Sequence, residues 1–471
     1  MGQERSERFW TATPTEAEES SFLRPRMPSS AGADQINSRE DCNAEPLSQD
    51  GDCVGYFDPA SSMEVKINMR KHLQKVARLT LGTATLGGIG LLGAFGAGAA
   101  GAAAPPGFGP GTSPVIGHVY LDDNTVGTNT ISGFDRHVDG SLTPLAGSPF
   151  VAGGTGTGAG LASQGAVQVA NNGRDLIAVD AGSNQLSVLR INFDGSLQLV
   201  PNGVVSSDGP TPVSVAVHDG LVYAANAGAV GPNYTGFTLS PFGQLQPLAN
   251  STVSLPNGSQ PGDVLFNSIG TNLVGTRVGT SEIDSFAVGR NGLLTEASGA
   301  PFTAQGLGPF GSEFRPTNPL QLFVSNAHNG AGLGTVSAYS VAFNGSLTSI
   351  GTSPVPDDQT APCWVAISPN GRFLFAVNTG SGDISSYQIA PNGSLTLIGS
   401  TVVSNAAGVG ATDPSVSPDG RTLYVNESRV DTVGAFAIGT GGTLTALPSS
   451  PVALPAGATP AGIVTTGFGG F

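Results

Sequence analysis

From about residue 115 onward, short runs of apolar residues alternate with polar turns that carry glycine. Each run is too short for a helix of ordinary length and reads as a strand. One unit shows the whole pattern. Pro362-Cys363-Trp364-Val365-Ala366-Ile367 is an apolar strand, and Ser368-Pro369-Asn370-Gly371 turns the chain. Arg372-Phe373-Leu374-Phe375-Ala376-Val377-Asn378 is then apolar on both faces, as expected of a strand sandwiched between neighbouring sheets. Ile384-Ser385-Ser386-Tyr387-Gln388-Ile389 follows as a third strand, and Leu395-Thr396-Leu397-Ile398 as a polar-flanked outer one.

The turn before the outer strand repeats. It reads Asp139-Gly140-Ser141-Leu142, Asp194-Gly195-Ser196-Leu197, Phe242-Gly243-Gln244-Leu245, Asn291-Gly292-Leu293-Leu294, Asn344-Gly345-Ser346-Leu347, Asn392-Gly393-Ser394-Leu395 and Gly441-Gly442-Thr443-Leu444. Its glycines are 55, 48, 49, 53, 48 and 49 residues apart. Seven copies at about 50 residues match four strands plus their turns. Asn-Gly and Asp-Gly suit a two-residue hairpin with positive φ at its centre.

The ends complement each other. The first unit begins late, at Gly117-His118-Val119-Tyr120-Leu121, without an inner strand, and an orphan strand, Pro460-Ala461-Gly462-Ile463-Val464, follows the last unit. Pairing the two predicts an all-β, seven-bladed β-propeller with four strands per blade. Its ring is closed by the C-terminal strand completing the first blade, which removes open sheet edges.

Composition agrees: 69 glycines, 34 prolines and only 11% charged residues favour strands and tight turns over long helices. Charge excludes one class of partner. No lysine follows Lys75, and beyond Pro105 nine arginines face 21 acidic residues. Such a surface repels phosphate backbones, so nucleic acid is not an expected ligand. Cys42 and Cys53 precede the repeats and Cys363 alone lies within them, which leaves no disulfide framework inside the body. Cys363 reads as a small buried residue.

Residues 69–104 have the order of a secretory signal peptide. Arg70, Lys71, Lys75 and Arg78 precede an apolar stretch containing Leu79, Leu86, Leu91 and Leu92, and small residues follow, with cleavage expected after Ala99 or Ala102. A weakly hydrophobic membrane anchor is the alternative. Residues 1–68 are polar and non-periodic: a disordered leader, or an upstream over-extension of a reading frame that starts at Met69. The propeller then spans 105–471, and the protein is expected to be extracellular, secreted or associated with the cell surface.

The repeats resemble the seven-bladed lactonase-type propeller family, whose named member is a 6-phosphogluconolactonase. Gly308-Pro309-Phe310-Gly311, Ala361-Pro362-Cys363-Trp364-Val365-Ala366, Ser368-Pro369-Asn370-Gly371-Arg372 and Gly382-Asp383-Ile384-Ser385-Ser386-Tyr387 carry the likeness, which covers about 112–467. Phe375-Ala376-Val377-Asn378 and Leu423-Tyr424-Val425-Asn426 resemble the YVTN motif of surface-exposed propellers. The resemblance implies histidine, arginine and glutamate in the central channel, because lactone opening needs a base to aim water and a cation to hold the oxyanion. The family's His-x-His element is absent, and Ser325-Asn326-Ala327 stands where relatives often read Ser-Asn-Arg.

Candidate catalytic residues are therefore few. Arg277, in a position where other units carry Asn, and Glu282 offer a cation and a carboxylate, or simply a structural ion pair. His328 lies on a connection between second and third strands, where it is either a channel-mouth group or a solvated loop histidine. His218 reads as a turn residue, His118 and His137 as peripheral, Glu427 as a loop residue, and Glu313 and Arg315 as facing solvent. Asp122-Asp123 and Asp357-Asp358 read as solvated loop pairs with at most loose affinity for Ca²⁺, and no metal or cofactor site is expected. Sequons occur at Asn233, Asn250, Asn257, Asn344, Asn392 and Asn426, of which the hairpin turn explains Asn344 and Asn392.

Two functions compete. One is a monomeric extracellular binding module whose partner is a protein or a cell-envelope polymer. The other is a hydrolase of small, non-phosphorylated lactones at the channel mouth.

Overall fold

The computed structural model describes residues 113–403, 408 and 410–468. Both N-terminal expectations, the leader over 1–68 and the signal over 69–104, lie outside the described residues.

Seven antiparallel sheets follow one another along the chain, each ordered from an inner strand outward. The inner strands of blades 2 to 7 are Val167–Ala170, Pro212–His218, Pro261–Phe266, Pro309–Arg315, Pro362–Ile367 and Ala411–Val416. Gly462–Thr465 supplies that of blade 1 by pairing with Val115–Asp122, in the register Val119 with Thr465 and Asp122 with Gly462. The ring is closed as its complementary ends require.

The second strands are the most buried. Asp175–Asp180, Phe373–Asn378 and Thr422–Glu427 are buried along their whole length, because both faces of a blade's middle pack on its neighbours. The core accordingly lies between blades: Val119, Leu121 and Phe134 of blade 1 cluster with Tyr424, Val433 and Ala435 of blade 7. In five blades the outer strand is split, and a two-residue piece such as Phe150–Val151 returns to the third strand. Serine hydroxyls at this break accept the third-strand amides that the split would orphan. Ser148 serves Gly133, Ser251 serves Gly236, Ser353 serves Ala338 and Ser450 serves Ala435, at 2.6–2.9 Å.

The repeated turn differs in detail from the expected hairpin. Only its glycine takes positive φ, at 82° in Gly140 and 88° in Gly393, while the preceding Asp or Asn does not. The Gly140 amide donates to the His137 carbonyl and the His137 amide to the Ser141 carbonyl. This is a three-residue loop with glycine at the bulge. Phe242 fits the slot before Gly243 because that slot needs no left-handed backbone. Where Asp or Asn stands there, its side chain holds the loop: Asp139 Oδ1 accepts both the amide and the hydroxyl of Ser141, at 3.0 and 2.7 Å.

The glycine carbonyl also joins blades. Tyr120 Oη donates to Gly195 O at 2.8 Å, Tyr223 Oη to Gly292 O at 2.9 Å and Tyr424 Oη to Gly140 O at 2.9 Å. The last of these crosses the closing seam, beside an Arg136–Asp419 ion pair at 3.3 Å.

Tyr424→Phe removes that cross-seam donor and keeps the ring's packing. Urea denaturation should show a loss of about 1–2 kcal/mol. Phe193→Ser on a 93%-exposed turn position should change stability by less than about 0.5 kcal/mol. Equal effects would contradict the role given to the seam.

Candidate functional site

The channel is walled by the inner strands, and one end of it is stoppered. The connection 152–166, from the outer strand of blade 1 to the inner strand of blade 2, carries Ser163, Gln164 and Gly165 across it. Ser163 Oγ donates to Val213 O at 2.8 Å in blade 3, and Ser163 O accepts from Trp364 Nε1 at 2.7 Å in blade 6. The Gln164 amide donates to Gly262 O in blade 4. Its side chain donates to Ser312 O at 3.0 Å in blade 5 and accepts from the Val365 amide at 2.9 Å in blade 6. The Gly165 amide donates to Asp413 Oδ2 at 3.2 Å in blade 7. Blades 3 to 7 are thus all tied to one tripeptide. Gly311 is needed for this: a Cβ there would lie 2.2 Å from Gln164 Oε1.

Beyond the stopper lies a cavity of about 190 Å³, lined by Gln164, Gln168, Glu313, Asp413 and Ser415 and, toward its outer end, by Ile367, Val416 and Val464. Three carboxylates interact here. Asp263 accepts from the amide and hydroxyl of Ser312, at 3.0 and 2.7 Å, and from Ser214 Oγ at 3.2 Å. Burial nevertheless pushes it up to about 7. Asp413 is raised well above the usual carboxylate range by burial, with the nearby charges of Asp263 and Glu313 adding to the effect. Glu313 accepts no hydrogen bond from the described residues, and burial, with Asp263 beside it, pushes it up to about 8. The expectation that Glu313 and Arg315 face solvent is overturned. Glu313 faces the channel, and Arg315 is buried, donating to Gly371 O and Gln321 Oε1, both at 2.8 Å.

The three sequence candidates do not converge on this site. Arg277 ends the second strand of blade 4, one strand away from the channel wall. Its Nε donates to Asp284 Oδ2 at 2.7 Å, and its Nη1 lies 3.2 Å from Glu282 Oε2. Six other blades place Asp123, Asp180, Asn226, Asn326, Asn378 and Glu427 at this position, each opposite the start of the third strand. Asn378, for example, donates to Asp383 and Ser385 at 2.7 and 2.8 Å. Arg277 with Glu282 and Asp284 is the same clasp with the donor and acceptor sides exchanged. Glu427, expected in a loop, is part of that series and 1% exposed, bonded to Thr432 Oγ1.

His328 packs its ring against Gly308 on the connection after Asn318–Asn326, and no hydrogen bond or ion pair joins it to Arg277 or Glu282. The acidic pairs are less solvated than expected. Asp122 and Asp123 are both 0% exposed, with Asp122 Oδ1 and Asp180 Oδ1 sharing Asn129 Nδ2 at 2.9 and 3.1 Å. Asp357 is also buried, and Asp358 is exposed. His118, read as peripheral, is buried and 3.2 Å from Asp135, and burial lowers it below the usual histidine value.

Residues 313–460 match the model of the family described as lactonase, 7-bladed beta-propeller. Among solved structures, a protein proposed to be a 6-phosphogluconolactonase from Bacteroides uniformis is 18% identical. The alignment covers 75% of this chain and 100% of that one, with a TM-score of 0.61. A similar protein from Bacteroides fragilis is 19% identical over 76% and 100%, with a TM-score of 0.60. The periplasmic gluconolactonase PpgL of Pseudomonas aeruginosa is 18% identical over 74% and 99%, with a TM-score of 0.59. No curated protein sequence matches. The resemblance to seven-bladed lactonase-type propellers is borne out, and at these identities the structural likeness is one of fold.

Two outcomes test this description. Arg277→Ala leaves Asp284 buried without its cation and should cost about 3–5 kcal/mol in chemical denaturation. The channel carboxyls titrate higher when folded than unfolded, so the folded state binds more protons between their unfolded values and about 7–8. Their contribution is complete below the unfolded values and is lost as pH rises through 7–8. The melting temperature should therefore fall between pH 5 and pH 9, and Glu313→Gln should flatten that slope. A slope unchanged in the variant would refute the assignment.

Proposed function

We propose that this protein is a secreted, non-catalytic binding module on a lactonase-type scaffold, holding a protein or cell-envelope polymer at the stoppered end of the ring. The observation that supports this most is the make-up of the channel: it is lined by carboxyls and amides, and no described arginine or histidine lines its cavity. Opening a lactone builds negative charge on the carbonyl oxygen, and a cavity lined by carboxyls and amides supplies no fixed cation to hold it. Arg277, the cation best placed by sequence, is already held by two carboxylates. The stopper adds to this by occupying the end where the connections between second and third strands converge.

That end also presents apolar tips. Val126 is 71% exposed, Val230 75% and Leu333 59%, all on such connections, with Leu307 on the neighbouring one. Single exposed apolar residues are ordinary, but several at one end of a ring form a surface that a partner can cover.

The family match and the gluconolactonase neighbour favour the competing reading, hydrolysis of a non-phosphorylated lactone, and turnover decides between them. The purified protein should hydrolyse neutral sugar and aromatic lactones no faster than Glu313→Gln or His328→Ala. A rate above buffer that collapses in either variant would establish the enzyme. N-terminal sequencing of protein recovered from culture medium should find a start at Ala100 or Ala103, and retention of the whole product inside the cell would overturn the extracellular assignment.

A further inference from the structure

The cavity behind the stopper has a polar deep end and an apolar outer end. Deep in it are Asp413, 3% exposed, and the side chain of Gln164. Glu313, Gln168 and Ser415 stand further out, all partly exposed, and Ile367, Val416 and Val464 follow at the ends of their strands. Exposure rises along this path in both Ala411–Val416 and Gly462–Thr465, so the cavity opens to solvent at the end opposite the stopper.

Glu313 sets the chemistry. Asp263 is satisfied by the Ser312 and Ser214 donors, and Asp413 accepts from the Gly165 amide, whereas Glu313 projects into the cavity with no donor from the described residues. The groups around it are Asp263 in blade 4 and Asp413 in blade 7, with Gln164 and Gln168 supplying amides. The facing inner strands of blades 1 and 2 carry no titratable residue, and Cys363 on that of blade 6 is disulfide-bonded and does not titrate. His218, at the end of the blade 3 inner strand, turns toward Asp219 and Phe266. Among the described residues no cation answers the two lining carboxyls, and no group of three such side chains is arranged to hold a metal ion.

We propose that this cavity binds a primary ammonium group carried on a short aliphatic stem. The ammonium would donate its three hydrogens to the Glu313 carboxylate and to the side-chain carbonyls of Gln164 or Gln168, with the Asp413 carboxyl close by. The stem would lie along Ile367, Val416 and Val464 toward solvent. A free alkylamine and the lysyl side chain of a protein partner share this chemistry. Neither source depends on the partner proposed for the stoppered end, because the cavity opens at the opposite one.

Calorimetry on the full-length protein tests it with n-butylammonium, 1-butanol and the peptide acetyl-Gly-Lys-Gly-amide. Saturable binding of n-butylammonium at pH 8, absent for 1-butanol, is expected. Affinity should fall about tenfold per pH unit below pH 7 as Glu313 takes up its proton. Glu313→Gln, which keeps the shape, should weaken binding at least tenfold, and Asp413→Asn should weaken it less, with circular dichroism confirming that both variants are folded. Peptide binding as tight as that of n-butylammonium would point to a lysyl partner, and binding of the free amine alone to a small-molecule ligand. No saturable binding at pH 8, equal binding of 1-butanol, or affinity unchanged in Glu313→Gln would overturn the proposal. Lactone turnover, read separately, bears on the function and not on this cavity.

Discussion

The fold depends on a pairing between the two ends of the described chain. Gly462–Thr465 must find Val115–Asp122 before blade 1 has an inner strand, and until then blades 1 and 7 have no seam to share. The contact is distant in sequence, so its loop-closure entropy is set against contacts formed late. Its strength comes from several small terms acting together: four paired residues, the Tyr424–Gly140 hydrogen bond, the Arg136–Asp419 pair and the Leu121–Tyr424 apolar cluster.

A ring of seven nearly equal blades leaves a channel, and this chain fills one end of it with its own backbone. The stopper gives Gln164 and Gly165 buried partners in blades 4 to 7, and the Ser163 contacts reach blades 3 and 6. It acts as a hub as well as a lid, since a tripeptide bonded to five blades resists their splaying. It also divides the channel into a closed end, where the connections between second and third strands gather, and a cavity that opens the other way. The scaffold resembles that of seven-bladed lactonase-type propellers, and its cavity is lined by carboxyls and amides with no described arginine or histidine among them.

The clasp at the end of each second strand shows how one structural need takes different residues. Asn378 reaches the third strand as a neutral donor, Asp123 accepts from Thr130 and Ser132, and Arg277 donates to Asp284 and Glu282. An arginine among asparagines looks catalytic in the sequence. In the fold it is one solution to joining two strands, and its charge is used up in doing so.

The sequence by itself determined the number of blades, their strand order and the closure of the ring, because these follow from a turn whose glycine must take positive φ at fixed intervals. It also held a sign of the stopper, unread: the longest spacing between turn glycines, 55 residues, contains the connection 152–166 that crosses the channel. The direction of Glu313 was not legible. On an inner strand both faces meet neighbouring blades, so alternation does not separate channel from solvent, and Glu313-Phe314-Arg315 reads as an exposed edge. Tertiary structure alone decided that Glu313 enters the cavity, that Arg277 is neutralised by Asp284 and that Gln164 spans the ring. The first and last depend on residues from different blades, whose distances are fixed only once the ring has closed, and the second on the pairing of two neighbouring strands within blade 4.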